Sequence, residues 1–205
     1  MVVRERRTQA QRTAESRRRL VDAAIALLAE RGYSGTTLLE IGRASGLSRG
    51  LVTHHFGTKE ACMEAVVVAI RERLTAIVHA ATREVRGLDA IDTLIDVYFA
   101  QMRSEDSGAR AMYTVLTEAV TAAPGLRTVT ARNNEVFRRV ITGRIMEAAA
   151  AGESIPEVDP EVTAILVEGM VRGVAAQWLI APEDIDLDVV VAELKRVVRR
   201  SLTAP

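Results

Sequence analysis

Arg49, Gly50, Leu51, Thr53 and His54 fall within one short stretch, and together they have the chemistry of a surface that reads base-pair edges. A guanidinium can donate two parallel hydrogen bonds to guanine, and a leucine methyl can meet a thymine methyl. Gly50 removes a side chain where a helix would touch the groove floor. Ser48, just before them, suits a helix N-cap. Lys59 follows Thr58 at another helix start, where an ammonium and free backbone amides can hold a phosphate. His54 and His55 are adjacent and point to different sides of a helix, so metal binding is not expected. His54 is read as facing DNA, and His55 as packing or meeting the DNA backbone.

These residues need two short helices joined by a tight turn and anchored to a third. Thr37-Leu-Leu-Glu40 reads as a capping box that starts the first of the pair. Ser45-Gly46 ends it, with glycine where a left-handed conformation is required. Ile41, Leu47, Val52 and Phe56 then supply the apolar anchors. The partner helix starts at Ser16, repeats Leu20, Ala24, Leu27 and Leu28 at three- and four-residue steps, and stops at Gly32. Residues 1–15, with Arg4, Arg6, Arg7 and Arg12, read as a mobile basic arm. Arg17, Arg18 and Arg19, at the start of the helix, are the arginines best placed for DNA phosphates. Cys62 reads as a buried core thiol.

The rest of the chain is helical by pattern. A helix capped by Thr58 runs without Pro or Gly to Arg86. A stripe of Leu88, Ile91, Leu94, Ile95, Tyr98 and Met102 follows, then one of Met112, Val115, Leu116 and Ala119. Pro124-Gly125 precedes a long helix carrying Val129, Val136, Phe137, Ile141 and Ile145. Asp159-Pro160 caps the next helix, and Leu187 to Val198 forms the last. No alternating strand pattern occurs. The expectation is an all-α chain of nine helices: a basic arm (1–15), a three-helix head (16–62) and a helical body (63–205).

Zero formal net charge argues against a nucleic-acid partner, but the charge is divided. Residues 1–62 hold 11 Lys+Arg against 6 Asp+Glu, a net of +5; the remainder hold 16 against 21, a net of −5. Only the first third would be drawn to phosphates. A single cysteine rules out an internal disulfide and fits a reducing cytoplasm. The first residues have no apolar run of signal-peptide type, and uninterrupted apolar runs such as Ala65 to Ile70 are too short to cross a bilayer. No glycine-rich phosphate loop, metal-ligand spacing or nucleophile elbow is present, so no catalytic residue, metal or cofactor is assigned.

The stretch Thr36, Thr37, Ile41, Gly46, Ser48, Gly50, His55, Phe56, Lys59 and Glu60 resembles the head of the TetR family of bacterial regulators. Two positions depart from the family pattern. Thr53 stands where tyrosine is usual, and Gly42 where alanine is usual, at a cost to the helix of up to about 1 kcal/mol. The resemblance implies a homodimer joined through its last two helices, a palindromic double-stranded operator, and a small effector in the body that changes the spacing of two heads. A dimer must present its heads to successive major grooves ~34–36 Å apart, and the long fourth helix could carry a tilt between body and head. Gly169, Gly173, Val190, Val191, Leu194 and Val197 are the expected dimer contacts. Tyr98, Met102, Tyr113, Asn133, Phe137 and Trp178 are the expected effector-pocket residues, with Glu118 a further candidate. Few charges interrupt the apolar stripes, so the effector is expected to be largely apolar or aromatic. Two readings compete with a ligand-relieved repressor. One is a helical scaffold without specific DNA binding; the other is a DNA-binding activator without ligand relief.

Overall fold

The computed structural model describes residues 8–203 except 105 and 154–156; the arm residues Arg4, Arg6 and Arg7 lie outside that set. Nine α-helices follow one another, with one 3-10 turn at Pro124–Leu126 and no strand among the described residues. They are α1 (Gln9–Gly35), α2 (Leu38–Ser45), α3 (Arg49–Phe56), α4 (Lys59–Ala81), α5 (Gly87–Arg103), α6 (Gly108–Val120), α7 (Arg127–Ala150), α8 (Pro160–Ile180) and α9 (Leu187–Leu202).

Two helix ends differ from the sequence reading. Helix α1 begins at Gln9 rather than Ser16, so the described part of the expected arm is helical. The cause is local: Thr8 Oγ1 accepts from the Gln11 amide, and Gln11 Oε1 accepts from the Thr8 amide, a reciprocal capping box. The expected stop at Gly32 is a break in α1, with φ at 70°, before one further turn. Helix α4 ends at Ala81, short of Arg86. There Thr82 donates its hydroxyl to the Val78 carbonyl, and the Arg86 guanidinium reaches the carbonyls of Arg83 and Val85. The first contact caps a carbonyl of the last helical turn, and the others tie down the turn that follows it.

The chain packs as two compact units. The first contains the described residues up to Ile70 together with Ser107–Thr130; the second contains Arg71–Asp106 and the chain from Ala131 onward. Helix α6 therefore belongs with the head, and the segment 63–205 is not a single packing unit. The first unit's core joins Leu20, Ala24, Ile25 and Leu28 of α1 to Ile41, Val52, Met63 and Val66. Ala111, Val115 and Ala119 of α6 enter the same cluster, and Thr114 Oγ1 lies 3.4 Å from the Leu28 carbonyl. Each fully buried Leu or Ile here contributes about 1.5–3 kcal/mol.

In the second unit α5 packs on α8 and α9, and α8 on α9. Ile91, Leu94, Ile95 and Phe99 of α5 are buried, as are Val191, Leu194, Val198 and Leu202 of α9. Ion pairs run along the α5–α9 seam: Arg199 holds Asp89 and Asp92, Lys195 holds Asp96 at 2.7 Å, and Arg103 holds Asp188 at 2.6 Å. The start of α5 is capped from a distance, because Glu153 Oε2 accepts from the Leu88 amide at 3.1 Å. Gly87 makes that possible. Its φ is +55°, and a Cβ there would collide with the Glu153 carboxylate.

Candidate nucleic-acid interface

Helices α2 and α3 are each capped by their own sequence. Thr37 Oγ1 accepts from the Glu40 amide at 3.2 Å, and Ser48 Oγ accepts from the Leu51 amide at 3.2 Å. The Glu40 carboxylate pairs instead with Arg43 at 2.9 Å and Arg31 at 3.6 Å, so the expected box at Thr37 is only half made. Gly46 takes φ 68° and ψ 26°, and its amide donates to the Arg43 carbonyl. Gly42 is buried at the turn, where a Cβ would lie 3.1 Å from both the Leu47 carbonyl oxygen and the Arg49 nitrogen. The helix propensity forgone at position 42 thus accompanies a close approach of the turn's backbone to α2.

Ile41 and Val52 are fully buried, and Leu47 and Phe56 pack half-buried against the same core. That fixes the outer side of α3. Arg49, Gly50, Thr53 and His54 are exposed on it, Leu51 is half-buried beside them, and Thr37 and Ser48 are exposed at the two helix starts. Thr53 donates its hydroxyl to the Arg49 carbonyl at 3.2 Å, so the short side chain that replaces tyrosine lies along its own helix. His55 sits half-buried between the rings of His54 and Phe56. Burial lowers its pKa, with His54 and Arg17 adding to the shift.

Three cations expected at phosphates are engaged within the head. Lys59 Nζ donates to the Tyr33 carbonyl at 2.6 Å and lies 3.7 Å from that tyrosine's ring centroid. Burial lowers its pKa, against the pull of Glu60 and Glu118. Burial likewise raises the pKa of Tyr33, with the same two carboxylates reinforcing the shift. Arg17 places its guanidinium 5.3 Å from the Phe56 ring centroid. Arg19 Nη2 donates to the Ser45 carbonyl at 2.6 Å. Nothing local in the sequence signals the Arg19 and Lys59 contacts, each of which spans 26 residues.

Cys62 is fully buried, and burial pushes its thiol up to about 12 against the weaker pull of Arg17. The thiolate is the reactive form. A colorimetric thiol reagent at pH 8 should therefore leave the native protein unmodified over hours and react fully once denaturant is added.

The expected effector residues are divided between the units. Tyr113 lies in the first, as does Glu118; Tyr98, Met102, Asn133, Phe137 and Trp178 lie in the second. Of these, Tyr98 and Phe137 meet, with ring centroids 5.8 Å apart. Met102 and Asn133 are buried, and Trp178 is half-buried. A surface cleft of about 160 Å³ near Asp96, Phe99, Arg103 and Asp188 is lined by none of them. The second unit also holds a buried charge cluster absent from the sequence reading: Glu168 faces Arg138 at 3.2 Å and Arg172 at 2.9 Å, and Arg172 donates to Asn134 Oδ1 at 3.0 Å.

The expected dimer contacts also divide. Val191 and Leu194 are buried within this chain's own second unit and Val190 is half-buried, whereas Gly169, Gly173 and Val197 are exposed. The apolar stripe of α9 is spent mainly on its own core. Val162, Ile165, Leu166 and Ile180 of α8, and Val189 of α9, are large apolar residues left exposed. Helix α8 is in fact long and apolar enough to cross a bilayer by length and composition, unlike the run at Ala65. It carries Glu168 and Arg172, however, and Glu168 pairs with Arg138 of α7.

A three-helix head that exposes the second helix of a helix-turn-helix pair, joined to a helical body, is the architecture of a bacterial transcription regulator. Residues 20–66 match the model for bacterial regulatory proteins of the tetR family, and residues 87–203 match that for the C-terminal part of BetI-type transcriptional repressors. The chain belongs to the tetR family of bacterial regulatory proteins. It is 28% identical over 179 residues to the HTH-type transcriptional regulator CymR of Pseudomonas putida, covering 85% of each chain. It is 26% identical over 205 residues to the HTH-type transcriptional repressor BepR of Brucella suis, covering 98% of this chain and 97% of that one. Its fold matches a TetR transcriptional regulator from Chloroflexus aurantiacus with a TM-score of 0.82 at 24% identity, over 95% of this chain and 99% of that one. The protein is a DNA-binding transcriptional regulator.

Proposed function

We propose that the protein is a homodimeric repressor released from a palindromic operator by a small molecule. The observation that carries the DNA side is the outer side of α3, where Arg49, Gly50, Thr53 and His54 stand exposed beside two capped helix starts. Arg49, Leu51 and His54 read base edges; the amides at Thr37 and Ser48 hold phosphates. The dimer side rests on the uncovered apolar residues of α8 with Gly169 and Gly173, whose missing side chains let a second copy approach. The effector enters the second unit near Tyr98 and Phe137 and is largely apolar or aromatic. The repressor named among the relatives, and the BetI-type match over the body, support this reading over an activator.

The test is footprinting with purified protein on DNA flanking its own gene. It should protect one roughly palindromic site, and Arg49→Ala should weaken that site by roughly 5- to 150-fold while relaxing preference at one base pair in each half. Binding that is salt-sensitive but indifferent to sequence would overturn it. Raised transcription on operator binding would favour an activator.

A further inference from the structure

Arg17 and Arg19 are exposed and basic at the edge of the proposed DNA surface, which makes phosphate binding the obvious role. Their contacts suggest another. Arg19 Nη2 lies on the Ser45 carbonyl at 2.6 Å, the last residue of α2, beside the left-handed Gly46. A cation there satisfies an end carbonyl and sits at the negative end of the helix dipole. Arg17 covers the ring of Phe56, the last residue of α3, at 5.3 Å. One stretch of α1 thus holds the C-terminal ends of both helices of the pair. The buried contacts of Ile41 in α2 and Val52 in α3, with Phe56 half-buried against the same core, fix depth, and Arg19 and Arg17 add a contact at the C-terminal end of each helix.

We infer that Arg17 and Arg19 are positioning residues that brace α2 and α3 from α1 and so set operator specificity, rather than contacts to phosphate. The inference rests on the proposed DNA surface, and it makes a different prediction from phosphate binding. Losing a phosphate contact weakens all DNA alike and lowers the salt slope by about one. Losing a brace weakens only the site that needs α3 at a fixed angle.

The full-length protein and its Arg17→Ala, Arg17→Met and Arg19→Ala variants would be titrated with operator and with unrelated duplex DNA across a salt series. Arg19→Ala should lose about 5- to 10-fold on the operator, with unrelated DNA and the salt slope unchanged. Arg17→Met, which keeps a polarizable group over Phe56, should stay within about threefold of the parent, and Arg17→Ala should lose more. Equal losses on both DNAs with a slope lowered by about one would overturn the inference, as would no loss on either. Hydrogen exchange on free protein supplies a readout without DNA. The Gly46 and Leu47 amides, which close the end of α2 on Arg43 and Gly42, should exchange several-fold faster in Arg19→Ala. Unchanged exchange would overturn the brace, whereas absent operator preference in the parent protein would overturn only the reading of the DNA surface.

Discussion

Leu166→Asp should turn the protein into a monomer by sedimentation and reduce operator affinity by two orders of magnitude or more, with the head still folded. Leu166 is 60% exposed in the single chain, and Ile165 and Val162 beside it are each 53% exposed. A soluble chain rarely leaves such a row of large apolar groups uncovered. In a two-fold interface the same position enters from both protomers, so one substitution places two carboxylates in an apolar contact. Affinity suffers indirectly. Two linked heads gain a factor of roughly 10²–10⁴ from the second binding event being intramolecular, and a monomer forfeits it. The variant should therefore bind a half-site as the parent does and lose only the advantage of the full palindrome. A Leu166→Asp protein that remains a dimer would place the interface on another surface.

The helix-turn-helix was legible because the signals that mark it are local. Caps at Thr37 and Ser48, a glycine at the left-handed Gly46 and anchors at Ile41 and Val52 all act within a few residues of one another. The same holds for Thr8 and Gln11, but there the arginine content of the first residues masked a capping box. Longer-range choices were not legible. The α9 stripe announces an apolar face, yet periodicity alone does not say whether Val191 and Leu194 meet this chain or another, and they meet this one. Helix α6 follows α5 in sequence but packs with α1, since its small residues Ala111 and Ala119 fit the first unit's core. Arg17, Arg19 and Lys59 show the same limit from the electrostatic side. Composition marks them as cations for DNA, whereas a carbonyl or ring brought close by the fold has already taken each one.

Glu168→Ala should lower the melting temperature by about 5–12 °C, the equivalent of about 2–4 kcal/mol for a chain of this size. Its side chain is only 6% exposed, between Arg138 at 34% and Arg172 at 20%. Arg138 donates a hydrogen bond to Oε2; Arg172 stands 2.9 Å from Oε1 but off the hydrogen-bonding axis, so that contact is charge attraction alone. Removing the carboxylate leaves two guanidiniums facing each other in a poorly hydrated place. Their partial exposure, and the hold of Asn134 Oδ1 on Arg172, keep the penalty at the lower part of the range for a broken buried pair. Replacing all three residues together with Met or Leu removes the charges as well as their pairing, and should cost no more than about 1–2 kcal/mol. The contrast between the single and triple variants in calorimetry is what identifies the cluster as a desolvated charge network. A Glu168→Ala protein that melts with the parent would mean that water reaches the guanidiniums freely. The same variants bear on regulation. Operator binding below the melting transition should be intact in both, because the head's contacts are elsewhere.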